Sequence, residues 1–208
     1  MNKARLEAFS DSVFAVVITL LIFDINVPTL PQPITNADLW RALLDLSPLL
    51  GVYFLTFAVV SALWINHHFL FHSFAKSVDR KLNLLNLTYL MFVAFVPFSA
   101  HLIGTYHEYQ PAAIVYGLNV FIIVALVRWM VSYMKRHKGE LLNDNLSQRL
   151  INQARFRSSL SLFCYAVGIA ISFFNVPATL FFFAFPVIFN IVPGSLDLAE
   201  RVFKFSLD

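Results

Sequence analysis

The chain has 208 residues, 59% of them hydrophobic and only 13% charged, with a mean hydropathy of +0.71. Soluble domains carry roughly 25% charged residues, whereas here the 23 phenylalanines outnumber the 15 lysines and arginines. An ordinary soluble fold is therefore excluded and lipid is part of the solvent. The net charge of +3 is too small to suggest a nucleic-acid partner, and a single cysteine, Cys164, excludes a disulfide framework or a multi-cysteine metal site.

Six apolar stretches are long enough to be membrane helices, at about residues 3–26, 48–73, 79–103, 111–137, 146–174 and 177–192. The expectation is one six-helix, all-α transmembrane domain over residues 1–208. The first stretch ends at Val27-Pro28 and spans ~36 Å as a helix; it is too long and too closely tied to charged residues for a cleaved signal. Thr35-Asn36-Ala37-Asp38 then reads as a capping box opening a short interfacial helix. Ser47-Pro48 supplies a cap and a first-turn proline for the second stretch. Pro97 predicts a kink in the third, Gly104 its stop, and Pro111 the start of the fourth. Residues 140–157 are polar but compatible with helix, so the fifth begins early and extends below the membrane. Asn175 with Pro177 opens the sixth, Pro186 lies inside it and Pro193-Gly194 closes it, before a short amphipathic tail.

With six spans both termini share one side, and fourteen of the fifteen basic residues fall there, including Lys3, Arg5, Lys76, Arg80, Lys135, Arg136, Arg157, Arg201 and Lys204. Only Arg41 falls on the other. The asymmetry predicts cytoplasmic termini in the cell membrane.

Enzyme signatures are missing: the sequence has no glycine-rich phosphate loop, no G-x-S-x-G and no H-E-x-x-H. His68 and His72 are spaced like metal ligands but lack a third in the neighbouring sequence, and Cys164 reads as a small core residue. More informative are polar residues where lipid should be. Counting from the outer surface puts Asp11 ~21 Å deep and Asn66 and His67 ~27 Å deep. Intramembrane ionisable groups are costly and normally paired, so a buried network joining Arg5, Ser10 and Asp11 to Asn66 and His67 is expected. Interfacial charges with snorkelling histidines are the alternative.

Along the first helix, Asp11, Phe14, Ala15, Ile18, Leu21, Ile22 and Ile25 lie within about 60° of one line. Several copies around an axis would stack isoleucine rings that constrict a pore and gate it by dewetting; from periodicity alone, ordinary bundle packing is the better reading. No TVGYG-like filter exists among the six scattered glycines, and no helix carries the regular arginines of a voltage sensor.

Arg5-Leu6-Glu7-Ala8-Phe9-Ser10-Asp11 matches the R-x-x-x-F-S-D signature of the lysosomal potassium channel family, transmembrane protein 175, and the chain resembles that family along essentially its whole length. Ile18-Thr19-Leu20-Leu21, Val27-Pro28 and Trp64-Ile65-Asn66-His67-His68 fit it as well. The resemblance implies a homotetrameric, potassium-permeable channel in the lipid bilayer, with monovalent cations as permeants, no enzymatic step and no cofactor. It implies a pore lined by helix one, with constriction layers at Ile18, Ile22 and Ile25 and Leu21 adjacent. It also implies that Phe9, Ser10 and Asp11 hold that helix in place, partnered by Arg5, Asn66 and His67, with Trp64 part of the second motif. All-isoleucine layers offer no oxygen to an ion, and Thr19 lies about 100° from Ile18, off that line. Weak to moderate preference for potassium over sodium is therefore expected. The rival reading is a proton channel or proton-coupled carrier using an Asp11/His67 relay. A third is a membrane protein docking a partner on residues 135–157.

Overall fold

The structure is a computed structural model describing residues 2–192 and 194–195. Pro193 and the tail from residue 196 on, with Arg201, Lys204 and the expected amphipathic segment, lie outside the described residues.

The described residues form eight α-helices and no sheet. α1 (Lys3–Leu20) is opened by Asn2, whose side chain accepts a hydrogen bond from the Ala4 N–H at 3.0 Å. It stops short of residue 26. A 3₁₀ turn over Leu21–Asp24 tightens the end and uses carbonyls that a helix terminus leaves unpaired, and Ile25 beyond it is extended (φ −96°, ψ 100°). α2 (Asn36–Asp45) starts in the capping box: the Asp38 N–H donates to the Thr35 hydroxyl at 3.2 Å, and the Thr35 N–H to the Asp38 carboxylate at 3.1 Å. The Thr35 hydroxyl, and next its backbone N–H, hold the Asp38 carboxyl below the usual carboxylate range.

α3 (Ser47–Phe69) has Pro48 in its first turn and ends in a widened π-type turn, Leu70–Phe74. α4 (Arg80–Ala94) and α5 (Val96–Thr105) divide the expected third span at Phe95, two residues before Pro97, whose ring removes a donor and crowds the preceding turn. α6 (Gln110–Arg136) begins with Pro111 in its first turn. α7 (Gln148–Ile171) is capped by Ser147 and α8 (Val176–Ile191) by Asn175, with Pro186 carried inside α8.

Four helical runs are long and apolar enough to cross a membrane: Lys3–Phe23, Ser47–Phe74, Arg80–Thr105 and Gln110–Arg136. α7 has the length, but Arg149, Arg155 and Arg157 occupy its first half, and the 16 residues of α8 reach only ~24 Å. α1 packs on α3 and α4; α6 packs on α4, α5 and α7; α8 closes against α7 and α3. Aromatic side chains fill the interior, with Phe14, Tyr89, Tyr116, Tyr165 and Phe183 fully buried. Others stand outside, Phe174 at 92% and Phe181 at 83% exposure, a surface suited to hydrocarbon and not to water. At the basic end the loops clasp one another. Lys76 N–H donates to the Leu141 carbonyl and Asn143 N–H to the Phe74 carbonyl, both at 2.8 Å, while the Lys3 ammonium donates to the Ala75 carbonyl, also at 2.8 Å.

Candidate pore-lining helix and its anchor

On α1 the buried residues Leu6, Ser10, Phe14 and Val17 recur every three or four positions, and Leu21 continues the series into the 3₁₀ turn. This line faces α3 and α4. On it, Ser10 is fully buried and meets two buried polar side chains, His67 of α3 and Asn86 of α4. The three form one directed chain. His67 Nε2–H donates to Asn86 Oδ1 at 2.7 Å, Asn86 Nδ2 donates to Ser10 Oγ at 3.1 Å, and Ser10 Oγ donates to the Leu6 carbonyl at 2.9 Å. A carboxamide oxygen only accepts, so the His67 proton sits on Nε2 in this arrangement. The imidazole is stacked on Tyr89 (5.3 Å, 15°) and flanked by Phe14 and Phe71. Buried polar groups are tolerated in such surroundings only when bonded, and here each donates to or accepts from its neighbour.

A second tie lies beside the first. Trp64 Nε1 of α3 donates to Asp11 Oδ1 at 2.9 Å, at the surface of the chain. Asp11 and His67 thus bind different partners, with no hydrogen bond between them. The other expected members lie elsewhere. Arg5 is exposed and makes no hydrogen bond or ion pair among the described residues, and Phe9 is exposed. Asn66 points to the other side of α3, into a crevice beside Arg157. Its place in the polar chain is taken by Asn86, which the same cue, a polar residue in a leucine-rich run (Leu84-Leu85-Asn86-Leu87), could have picked out.

The opposite face of α1 is open. Ala8, Ser12, Ala15, Val16 and Thr19 are all exposed, and in the following turn Ile22 is 48% exposed. The Ser12 hydroxyl donates to the Ala8 carbonyl at 2.8 Å and the Thr19 hydroxyl to the Ala15 carbonyl at 3.0 Å, so both protons are used and the oxygen lone pairs remain available. The centre of this face lies about 100° around the helix from the centre of the line that periodicity suggested, and Ala15 and Ile22 belong to both. On that suggested line, Phe14 and Leu21 are buried at 1% and 3% exposure, Ile18 is half-buried against the core, and Ile25 is half-buried beside Leu49 and Val52.

A family model described as endosomal/lysosomal potassium channel TMEM175 matches residues 5–97, a stretch containing most of α1 and all of α2, α3 and α4. A potassium channel of Streptomyces collinus is 36% identical over 185 residues, covering 86% of this chain and 87% of that protein. The human endosomal/lysosomal proton channel TMEM175 is 41% identical over 102 residues, 47% of this chain and 20% of the human one. Among solved structures, a lysosomal potassium-selective channel TMEM175 homolog from Chamaesiphon minutus aligns with a TM-score of 0.76 at 27% identity, covering 90% of this chain and 95% of that chain.

Proposed function

The chain belongs to the TMEM175 family, and from that premise we propose that it is a potassium-permeable cation channel, a homotetramer whose copies of α1 surround the pore. The observation that carries this reading is the asymmetry of α1. One side is bolted to α3 and α4 by directed hydrogen bonds, and the other presents a narrow strip of small and hydroxyl-bearing residues. Ala8, Ser12, Ala15 and Thr19 give lipid little to pack on, but they allow close approach of other helices around an axis. The four apolar runs together with α7 and α8 make six spans of one domain. Both termini lie on the cytoplasmic side of the cell membrane, following the basic residues.

The constriction in this proposal falls on the open face, at Val16 and Ile22, with Thr19 between them. Of the expected ring residues only Ile22 stays; Ile18, Leu21 and Ile25 serve protomer packing, as their burial supports. Aliphatic rings restrict passage through the cost of dehydration. The Thr19 oxygen, its proton donated to Ala15, offers the passing cation a weak ligand that an all-isoleucine pore would lack. Weak to moderate potassium preference follows, with potassium as permeant, no cofactor and no catalytic step.

A proton relay through Asp11 and His67 is the lesser reading. His67 donates into Asn86, and a carboxamide does not pass a proton on; Asp11 is engaged by Trp64. Purified protein in liposomes, with reversal potentials under potassium, sodium and proton gradients, tests both. A reversal potential following potassium supports the channel, and one following pH alone moves the mechanism to Asp11 and His67. Should Val16, Thr19 and Ile22 variants all conduct like the parent while changes on another helix alter permeation, the α1 assignment is wrong.

A further inference from the structure

Between α3, α6, α7 and α8, away from α1, lies a crevice of about 100 Å³. Val59, Val120, Val124 and Val127 make its walls apolar, and Asn66, Arg157 and Asn190 line it with polar groups. Arg157 is half-buried there. Its Nη1 donates to the carbonyls of Phe189 (3.3 Å) and Asn190 (3.2 Å) at the C-terminal end of α8, and the guanidinium lies 5.7 Å from the Phe189 ring. The α8 carbonyls and their helix dipole account for that one edge of the fork. No carboxylate pairs with Arg157 among the described residues.

An arginine with no carboxylate partner among the described residues, beside an apolar slot, is half of a site for an amphiphile. We propose that the crevice takes one acyl chain of an anionic membrane lipid, with the lipid phosphate on the outward edge of Arg157. The depth fits: Arg157 is the last charged residue of α7 before the apolar run from Ser158 to Ile171, the level at which a head group sits. The size fits one chain. A cavity of roughly 150 Å³ holds a benzene ring, so this smaller slot takes a few methylenes of the chain, the rest of which continues into the surrounding bilayer. Arginine suits the head group because its planar fork can meet a phosphate with two parallel bonds. The occupied crevice would bear on α3, which holds α1 through Trp64 and His67 and lines the slot with Leu63 and Asn66. Lipid would therefore brace the helix that anchors α1.

Binding is read without flux, so its failure and the failure of the channel reading are separate. The full chain, purified in detergent, is mixed with phosphatidylglycerol or with phosphatidylcholine of identical chains, and retained lipid is counted by native mass spectrometry. Both lipids carry the phosphate, but in phosphatidylcholine the choline ammonium offsets its charge, so an arginine that needs a net anion predicts about a tenfold or greater preference for phosphatidylglycerol. Arg157→Gln removes that preference, Arg157→Lys restores part of it, and Val124→Phe, which fills the slot, reduces retention of both lipids. A Lys135→Gln, Arg136→Gln double variant, altering basic residues outside the crevice, keeps the parent preference. If folded Arg157→Gln keeps it too, or if inorganic phosphate displaces the lipid completely, the proposal fails. If Arg157→Gln does not fold, Val124→Phe decides, and undiminished phosphatidylglycerol retention by that variant overturns the site.

Discussion

Phe183 of α8 and His67 of α3 are both buried where three helices meet, yet they are held by opposite means. The Phe183 ring fits between two glycines. A Cβ at Gly117 of α6 would lie 2.5 Å from it, and one at Gly168 of α7 2.7 Å. Tyr165 stacks on it at 5.3 Å and Tyr116 leans on it at 5.5 Å. Ring packing dominates where α6, α7 and α8 meet there, with one long hydrogen bond, from the Tyr165 hydroxyl to the Phe183 carbonyl at 3.4 Å. His67 instead joins α1, α3 and α4 through a chain of directed hydrogen bonds. Dispersion contacts set the distance between helices and tolerate small rotations; hydrogen bonds of fixed direction also set rotation. On the proposed reading, the helix whose open face lines the pore is the one held by direction, and α6, α7 and α8 meet at Phe183 mainly by fit.

The largest expected effect breaks the shape-based knot. Phe183→Ala leaves a void between two glycines that cannot fill it, and should cost about 3–5 kcal/mol of stability, read as a lowered thermal unfolding midpoint. Ion selectivity of the protein that remains folded should not move, because α1 is untouched. A shift in reversal potential without loss of stability would reverse the roles assigned to the two knots.

His67→Ala should cost less, about 1–3 kcal/mol, mainly from stranding the Asn86 carbonyl oxygen without its donor. Membrane helices place a similar modest value on such bonds. Its signature is functional: α1 loses its rotational setting, so conductance and reversal potential change more than the unfolding midpoint does. Asn86→Leu should act in the same direction, and a double variant should be markedly less than additive, since both remove one chain. Additive losses would mean that His67 and Asn86 act separately.

How far the sequence could show this is itself uneven. The polar anchor was legible because a serine, an aspartate or a histidine inside an apolar run is its own signal, and Ser10, Asp11, Trp64 and His67 are all on the α3-facing side of α1 or its partner helix. Asn66 and His67 are neighbours in sequence but about 100° apart on the helix, so they serve different interfaces. Which face of α1 is open was not legible. Phe14, Val17 and Leu21 on the buried side are no more apolar than Val16, Leu20 and Ile22 on the open one, so periodicity marks two faces without ranking them. Gly117 and Gly168 carried no signal either, because their meeting with Phe183 exists only in three dimensions.

Trp64→Phe gives a smaller effect, about 0.5–1.5 kcal/mol at most, because the Asp11 bond lies at the exposed rim. It keeps the aromatic bulk while removing the donor. Conductance should change in the same sense as in His67→Ala but less, and an unchanged current would leave the buried chain as the anchor that matters.

The smallest effect concerns the joint between the two knots. Asp79 caps α4, accepting from the Leu82 N–H at 2.7 Å, and its second carboxylate oxygen accepts from the Tyr133 hydroxyl of α6. Partial burial pushes the carboxyl up, but the Tyr133 hydroxyl, the Leu82 N–H and the nearby His137 together outweigh it and hold it below the usual range. With the folded value below the unfolded one, the carboxylate's contribution is complete above about pH 4 and is lost as pH falls through the folded value. Acidification below about pH 4 should therefore lower the parent's unfolding midpoint more steeply than that of Asp79→Asn, which keeps an acceptor for Leu82 but has no charge to lose. Tyr133→Phe should flatten the same limb by removing the donor that favours the carboxylate. Identical acid limbs in all three proteins would mean that the Asp79–Tyr133 bond adds no charge-dependent stability, leaving packing and the buried Thr56–Tyr116 hydrogen bond to join the two sides.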